Sequence, residues 1–208
     1  LAVAEKGNLF FAPDTYMEKI VVGPNLPDNL VDLDNDIEKN ILLLANAKKT
    51  NPEKLTVCLL ERPRHKKMID TLKKMNVNLK MISDGDISGA IYVVNKKSPV
   101  DMYIGIGGGP EGVLAAAALS CYGAQMQTRL VLNEDEANRA SKMGIIDLKK
   151  KYKINEMIKG DVIFCATAIT NGELINGISK ESDFLITSTM AMHKSKNINK
   201  TVINKHPK

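Results

Sequence analysis

Residues 101–119 read DMYIGIGGGPEGVLAAAAL. The opening DMYIGI has the aliphatic and aromatic content of a buried strand. The glycines after it supply a tight turn, and the alanine-rich remainder, led by Pro110, reads as a helix to about Tyr122. A strand that feeds a helix through glycines is the repeating unit of α/β proteins, so the fold turns on whether the unit recurs. LTVCLL (55–60) precedes a helical pattern near 62–75, VNLKMI (77–82) precedes one beginning near Asp84, and DVIFCATAI (161–169) is a further strand. Apolar strands joined by helical crossovers predict an α/β fold with a mainly parallel sheet flanked by helices on both faces.

The ends differ from this rhythm. Residues 8–22 read as strands bounded by Pro13, Gly23 and Pro24, and residues 183–203 read as further short strands closing in a Lys/Asn-rich tail. The stretch 133–160 is charged and helical in character. No internal repeat and no low-complexity linker interrupts the chain, which favours one compact unit.

Composition narrows the function. With 208 residues, 44% hydrophobic but only 4% aromatic, the chain is long enough for an aliphatic core. A net charge of +5 spread along the chain suits an anionic small molecule. No basic stripe interleaves with the few aromatics, which argues against nucleic acid. The isolated cysteines Cys58, Cys121 and Cys165 form no disulfide framework and point to a reducing cytoplasm. No apolar run approaches the roughly 18 residues of a membrane helix. The chain opens at Leu1 already in apolar sequence, so its start is expected upstream.

In open α/β sheets ligands bind beyond the carboxyl ends of strands, and three such ends are polar. After LTVCLL come Arg62, Arg64 and His65, where two guanidiniums beside a helix start suit phosphate oxygens as well as they suit a solvated first turn. After VNLKMI come Ser83, Asp84, Gly85 and Asp86. Ser83 or Asp84 fits a helix cap, while Asp84 with Asp86 fits sugar hydroxyls or a hard cation.

The third end is the glycine run itself. Gly107, Gly109 and Gly112 satisfy the GxGxxG spacing of dinucleotide-binding proteins, and Glu134 follows near the roughly 20 residues at which a ribose-binding acid is sought. Against that, Pro110 removes a backbone donor and puts Glu111 in the first turn, where a carboxylate repels a pyrophosphate and suits a metal ion or the helix dipole. Arg129 fits a further anion contact or a salt-bridged strand position. His193 and His206 lack zinc-ligand spacing, and Met68, Met75 and Met81 read as core filling.

Taken in order, APDTYMEKIVVGP, LERPRH, SDGDI, GIGGGPEGVLAAAAL, QMQTRL and DVIFCATAITNGELINGI resemble the downstream part of a class II, bacterial-type fructose-1,6-bisphosphatase, from about Gly7 to about Thr189. The resemblance implies a layered sugar-phosphatase fold of the lithium-sensitive phosphatase type. It also implies Mg²⁺- or Mn²⁺-dependent hydrolysis of the 1-phosphate of fructose 1,6-bisphosphate, and self-association into a homo-oligomer. By the same resemblance Tyr16, Arg62, Arg64, Asp84 and Asp86 hold the sugar bisphosphate, Gly108 approaches it through backbone, and Glu111 is a metal ligand.

The family's main acidic cluster, with its DPIEGT-like motif, has no counterpart in these residues. The chain is therefore expected to be N-terminally truncated, with its catalytic residues upstream of Leu1 and no activity alone. In that division residues 1–30 end an N-terminal metal-cluster domain, and residues 31–208 form a C-terminal α/β sugar-phosphate-binding domain. Two alternatives stay open: an NAD(P)-binding oxidoreductase module using the glycine run, and a non-catalytic sugar-phosphate-binding module.

Overall fold

The alanine-rich segment after the glycine run is buried on every side, with Ala115–Leu119 no more than 2% exposed. Such a helix needs packing partners all around it, and the computed structural model, which describes residues 1–208, supplies them. In chain order the elements are β1 (Ala2–Val3), β2 (Tyr16–Val22), α1 (Ile37–Ala47), β3 (Thr56–Leu60), α2 (Lys66–Lys74), β4 (Asn78–Ile82), α3 (Asp86–Tyr92), β5 (Met102–Gly108), α4 (Gly109–Ser120), β6 (Gln125–Val131), α5 (Glu134–Lys142), β7 (Tyr152–Lys153), α6 (Ile154–Met157), β8 (Ile163–Thr167), β9 (Ser179–Glu181), β10 (Phe184–His193) and β11 (Ile198–Pro207).

A six-stranded sheet runs in the order β4-β3-β5-β2-β6-β7. Helices α1 and α2 cover one face, where Ile41, Leu44, Ile69 and Leu72 meet Ile20, Val57, Leu59 and Met102. On the other face Val21, Cys58 and Tyr103 pack with α3 and α4, which in turn meet Phe164 of β8 and Met192 of β10. Helices α3 and α4 thus lie between the first sheet and a second, five-stranded one. Alanine at successive positions of α4 keeps its radius small enough for both sheets to close on it.

The expectation of a mainly parallel sheet is corrected. Strands β4, β3 and β5 pair in parallel, but β2 is inserted antiparallel between β5 and β6, and β7 adds antiparallel to β6. The second sheet, β1-β8-β10-β11 with β9 on β10, is antiparallel throughout. β2 is buried on both faces, just as a parallel strand would be, so its side chains do not betray its direction. The direction shows only in the pairing: α1 follows β2 as a helix follows a parallel strand, yet β2 runs antiparallel to both β5 and β6.

The short strands expected near the C-terminus are instead two ten-residue strands, β10 and β11, zipped in register from Phe184↔Pro207 to His193↔Ile198. The Lys/Asn-rich tail is itself the last of them. The first sheet draws on residues 16–153 and the second on residues 2–3 and 163–207. No helix is long and apolar enough to cross a membrane.

Candidate functional site

Because β3, β4 and β5 run parallel, their carboxyl ends open on one edge of the sheet, and antiparallel β2 brings its first residue to the same edge. The register Tyr16↔Gly108 makes this explicit. Residue 105 to residue 108 complete β5, and Gly109 begins α4. Four segments therefore converge: the start of β2, the 61–65 turn after β3, the 83–86 turn after β4, and the glycine run.

Arg64 is exposed but held. Its Nε and Nη2 donate to the Ile106 carbonyl at 3.0 and 2.7 Å, and its guanidinium carbon stands 4.7 Å from the centre of the Tyr16 ring. Three N–H groups of the guanidinium remain for an anion, and the cation–π contact with Tyr16 restrains their direction. His65, fully buried, braces the same peptide: the Ile106 N–H donates to its Nε2 at 2.8 Å, and its Nδ1 lies 2.7 Å from the Leu60 carbonyl. A backbone N–H only donates and a carbonyl only accepts, so His65 is neutral with its proton on Nδ1. Burial pulls its pKa below the ordinary 6.5.

A pH prediction follows from His65. The folded state disfavours the imidazolium that the unfolded chain readily forms. Stability from this group is full above about pH 6.5 and is lost as pH falls from there toward the lowered folded value. In melting experiments the wild type is expected to lose more stability between pH 7 and 5.5 than a His65→Gln variant; equal slopes would contradict this assignment.

Asp86 opens α3 and sits in a socket. Lys19 Nζ donates to its Oδ2, and the Tyr103 hydroxyl donates to its Oδ1. Lys19 also donates to the Gly108 carbonyl at 2.8 Å. Gly107 closes the socket, since a Cβ there would fall 2.3 Å from Asp86 Oδ2. Burial pulls the Lys19 ammonium below the ordinary lysine range, with Asp86 opposing, and burial pushes the Tyr103 phenol up. The carboxylate of Glu111 folds back over Gly108, where a Cβ would meet its Oε2 at 2.0 Å.

Tyr16, Arg64, Asp86, Gly108 and Glu111 thus gather on one sheet edge. Arg62 and Asp84 lie on the same two turns but make only local contacts, Arg62 with the Glu61 carbonyl at 3.0 Å and Asp84 with the Gly85 N–H at 2.8 Å. The capping alternative for Ser83 and Asp84 is corrected: Gly85 is the N-cap of α3, and its φ of 89° demands glycine. Arg129 is not an anion contact. It pairs with Glu18 and Asp34, while Lys151 joins Asp34 to Asp32. His193 bonds Asp161 and His206 bonds Thr187, both in the second sheet.

Lys19 and Tyr103 were not singled out from sequence. A lysine in YMEKIVV reads as a solvent-facing strand residue. Its only clue is that it shares a face with Met17 and Val21.

The glycine run does not present itself to a dinucleotide. Gly107 faces Asp86, Gly109 lies against the Pro13 carbonyl and donates to Thr15 O at 2.7 Å, and Gly112 packs on Met17 and Lys19. The close approach that glycine permits here is between parts of the protein. The fit to a divalent ion is partial. Glu111 is exposed at a helix start and offers one carboxylate, but no group of three or more His, Cys, Asp or Glu side chains is arranged to hold an ion. One carboxylate does not hold a catalytic ion pair against water.

Comparison with known proteins gives the same direction as the motifs. The family described as bacterial fructose-1,6-bisphosphatase, glpX-encoded, matches residues 1–206. The chain is 34% identical to a class 2 fructose-1,6-bisphosphatase of Haemophilus influenzae, over 96% of this chain and 64% of that protein. It is also 34% identical to proteins of Synechocystis sp. and Trichodesmium erythraeum named D-fructose 1,6-bisphosphatase class 2/sedoheptulose 1,7-bisphosphatase, over 86% of this chain and 55% of each of theirs. The chain spans between half and two thirds of the length of these relatives. With the match running over nearly all of its residues, the chain belongs to the family of bacterial, glpX-encoded fructose-1,6-bisphosphatases.

Proposed function

We propose that the protein carries the sugar-binding edge of a metal-dependent phosphatase that hydrolyses the 1-phosphate of fructose 1,6-bisphosphate to fructose 6-phosphate and phosphate, a step of gluconeogenesis. The observation that supports this best is the convergence of Arg64, Tyr16, Asp86, Gly108 and Glu111 at the end of β5. In this reading Arg64, with Arg62 beside it, receives the phosphate that stays on the sugar, and Asp86 and Asp84 accept from sugar hydroxyls. Gly108 meets the sugar through its backbone. Glu111 fits one ligand of a Mg²⁺ or Mn²⁺ ion, which when bound polarises the phosphoryl group that leaves. The remaining metal donors are not among these residues, so no step of the hydrolysis is assigned to a metal here. The layered fold of lithium-sensitive phosphatases belongs to the same reading.

The test is phosphate release from fructose 1,6-bisphosphate by the native protein with Mn²⁺, with sedoheptulose 1,7-bisphosphate as a second substrate because two relatives bear its name. Release is expected from the first substrate, and none from either would contradict the proposal. A Glu111→Ala variant of the active protein is expected to need about tenfold or more Mn²⁺ for half-maximal rate, the scale on which changes around a metal weaken its binding. An unchanged metal requirement would remove Glu111 from the ligand set.

A further inference from the structure

Lys19 is fully buried in the middle of the six-stranded sheet, beneath the glycine run. Taking an ammonium out of water is costly, and an apolar side chain of similar volume would fill the same space without that cost. What the ammonium does there is shown by its two contacts, the Asp86 carboxylate and the Gly108 carbonyl. Both belong to the edge assigned to the sugar. Tyr103, also fully buried, pins the other Asp86 oxygen.

Asp86 is thus held from both sides, with the Gly107 backbone close against it. A carboxylate on the first turn of a helix ordinarily chooses among several rotamers, and two buried donors reduce the choice to one. The same lysine fixes the peptide that follows Gly108, so one cation sets the relative placement of a side-chain acceptor on α3 and a backbone acceptor at the end of β5. We propose that Lys19 and Tyr103 are positioning residues for the substrate: without touching it, they fix Asp86 and Gly108 in the arrangement that receives the sugar. This rests on the sugar-bisphosphate reading above.

The experiment uses the native full chain and compares kcat, KM for fructose 1,6-bisphosphate, and melting temperature. The variants are Lys19→Met, Tyr103→Phe, Asp86→Asn and the two doubles with Asp86→Asn. Phosphate release by the unaltered protein is read first; its absence overturns the functional reading and this proposal with it. In an active protein Lys19→Met is expected to raise KM about tenfold or more with kcat within about threefold, and Tyr103→Phe to raise KM about threefold. In the Asp86→Asn background either substitution is expected to add less than about twofold, because residues acting through one partner are not additive.

A merely structural role predicts otherwise. Lower melting temperature with unchanged KM, or KM effects that multiply independently of Asp86→Asn, would overturn the positioning role and leave the functional reading standing. Should Lys19→Met fail to fold, Tyr103→Phe carries the same cycle, since it removes one hydroxyl and keeps the buried ring.

Discussion

Replacing Arg64 by alanine is expected to raise KM for fructose 1,6-bisphosphate by about tenfold to a hundredfold, the range for losing hydrogen bonds to a charged group, with little change in kcat. The size follows from how Arg64 is held. Two of its N–H groups are committed to the Ile106 carbonyl and its guanidinium carbon lies over the Tyr16 ring, so the remaining donors are ordered before any anion arrives. The split between KM and kcat follows from the proposed role, which is to hold the phosphate that is not transferred. Arg64→Lys keeps the charge but loses the planar fork, and is expected to fall between wild type and alanine. An Arg64→Ala enzyme with unchanged KM would separate this arginine from substrate binding.

Gly107→Ala is expected to cost both stability and activity. The added methyl would fall 2.3 Å from Asp86 Oδ2 and 2.7 Å from its Cγ. Asp86 does not swing aside without giving up Lys19 or Tyr103. Overpacking of this kind costs about 1–3 kcal/mol, or a fall of about 2–4 °C in Tm per kcal/mol for a chain of this size. Activity is expected to fall further than stability alone would dictate, because the displaced group is a proposed substrate acceptor. Gly23→Ala is the control: its methyl would meet only the Val93 carbonyl at 3.6 Å, and a change within about 0.5 kcal/mol is expected. If the two variants melted and turned over alike, the close packing of Asp86 on the glycine run would be wrong.

The β5–α4 unit was legible because strand, glycine turn and Pro-led helix each carry a local signal that agrees with the others. The polar ends of β3 and β4 were legible for the same reason, as charged residues directly follow apolar strands. The direction of β2 was not, since a strand buried on both faces carries no mark of its orientation. Helix α1 carries Ile37, Ile41, Leu44 and Ala45 at helical spacing, but the unbroken apolar run from 41 to 45 blurs the period, so no element is legible there from sequence. The site divided along similar lines. Asp84 and Asp86 look alike in SDGD, and only the left-handed turn at Gly85 decides that Asp86 enters the socket while Asp84 stays outside. Lys19 and Tyr103 were hidden because their partners lie 67 and 17 residues away.

The most direct measurement is a crystal structure of the native protein with fructose 1,6-bisphosphate. The account predicts one phosphate on Arg64, with the sugar between Asp86 and the Gly108 backbone at the end of β5. A sugar phosphate bound elsewhere, such as in the polar cavity at the opposite end of the sheet lined by Gln125, Lys153 and Lys194, with the β5 edge empty, would contradict it.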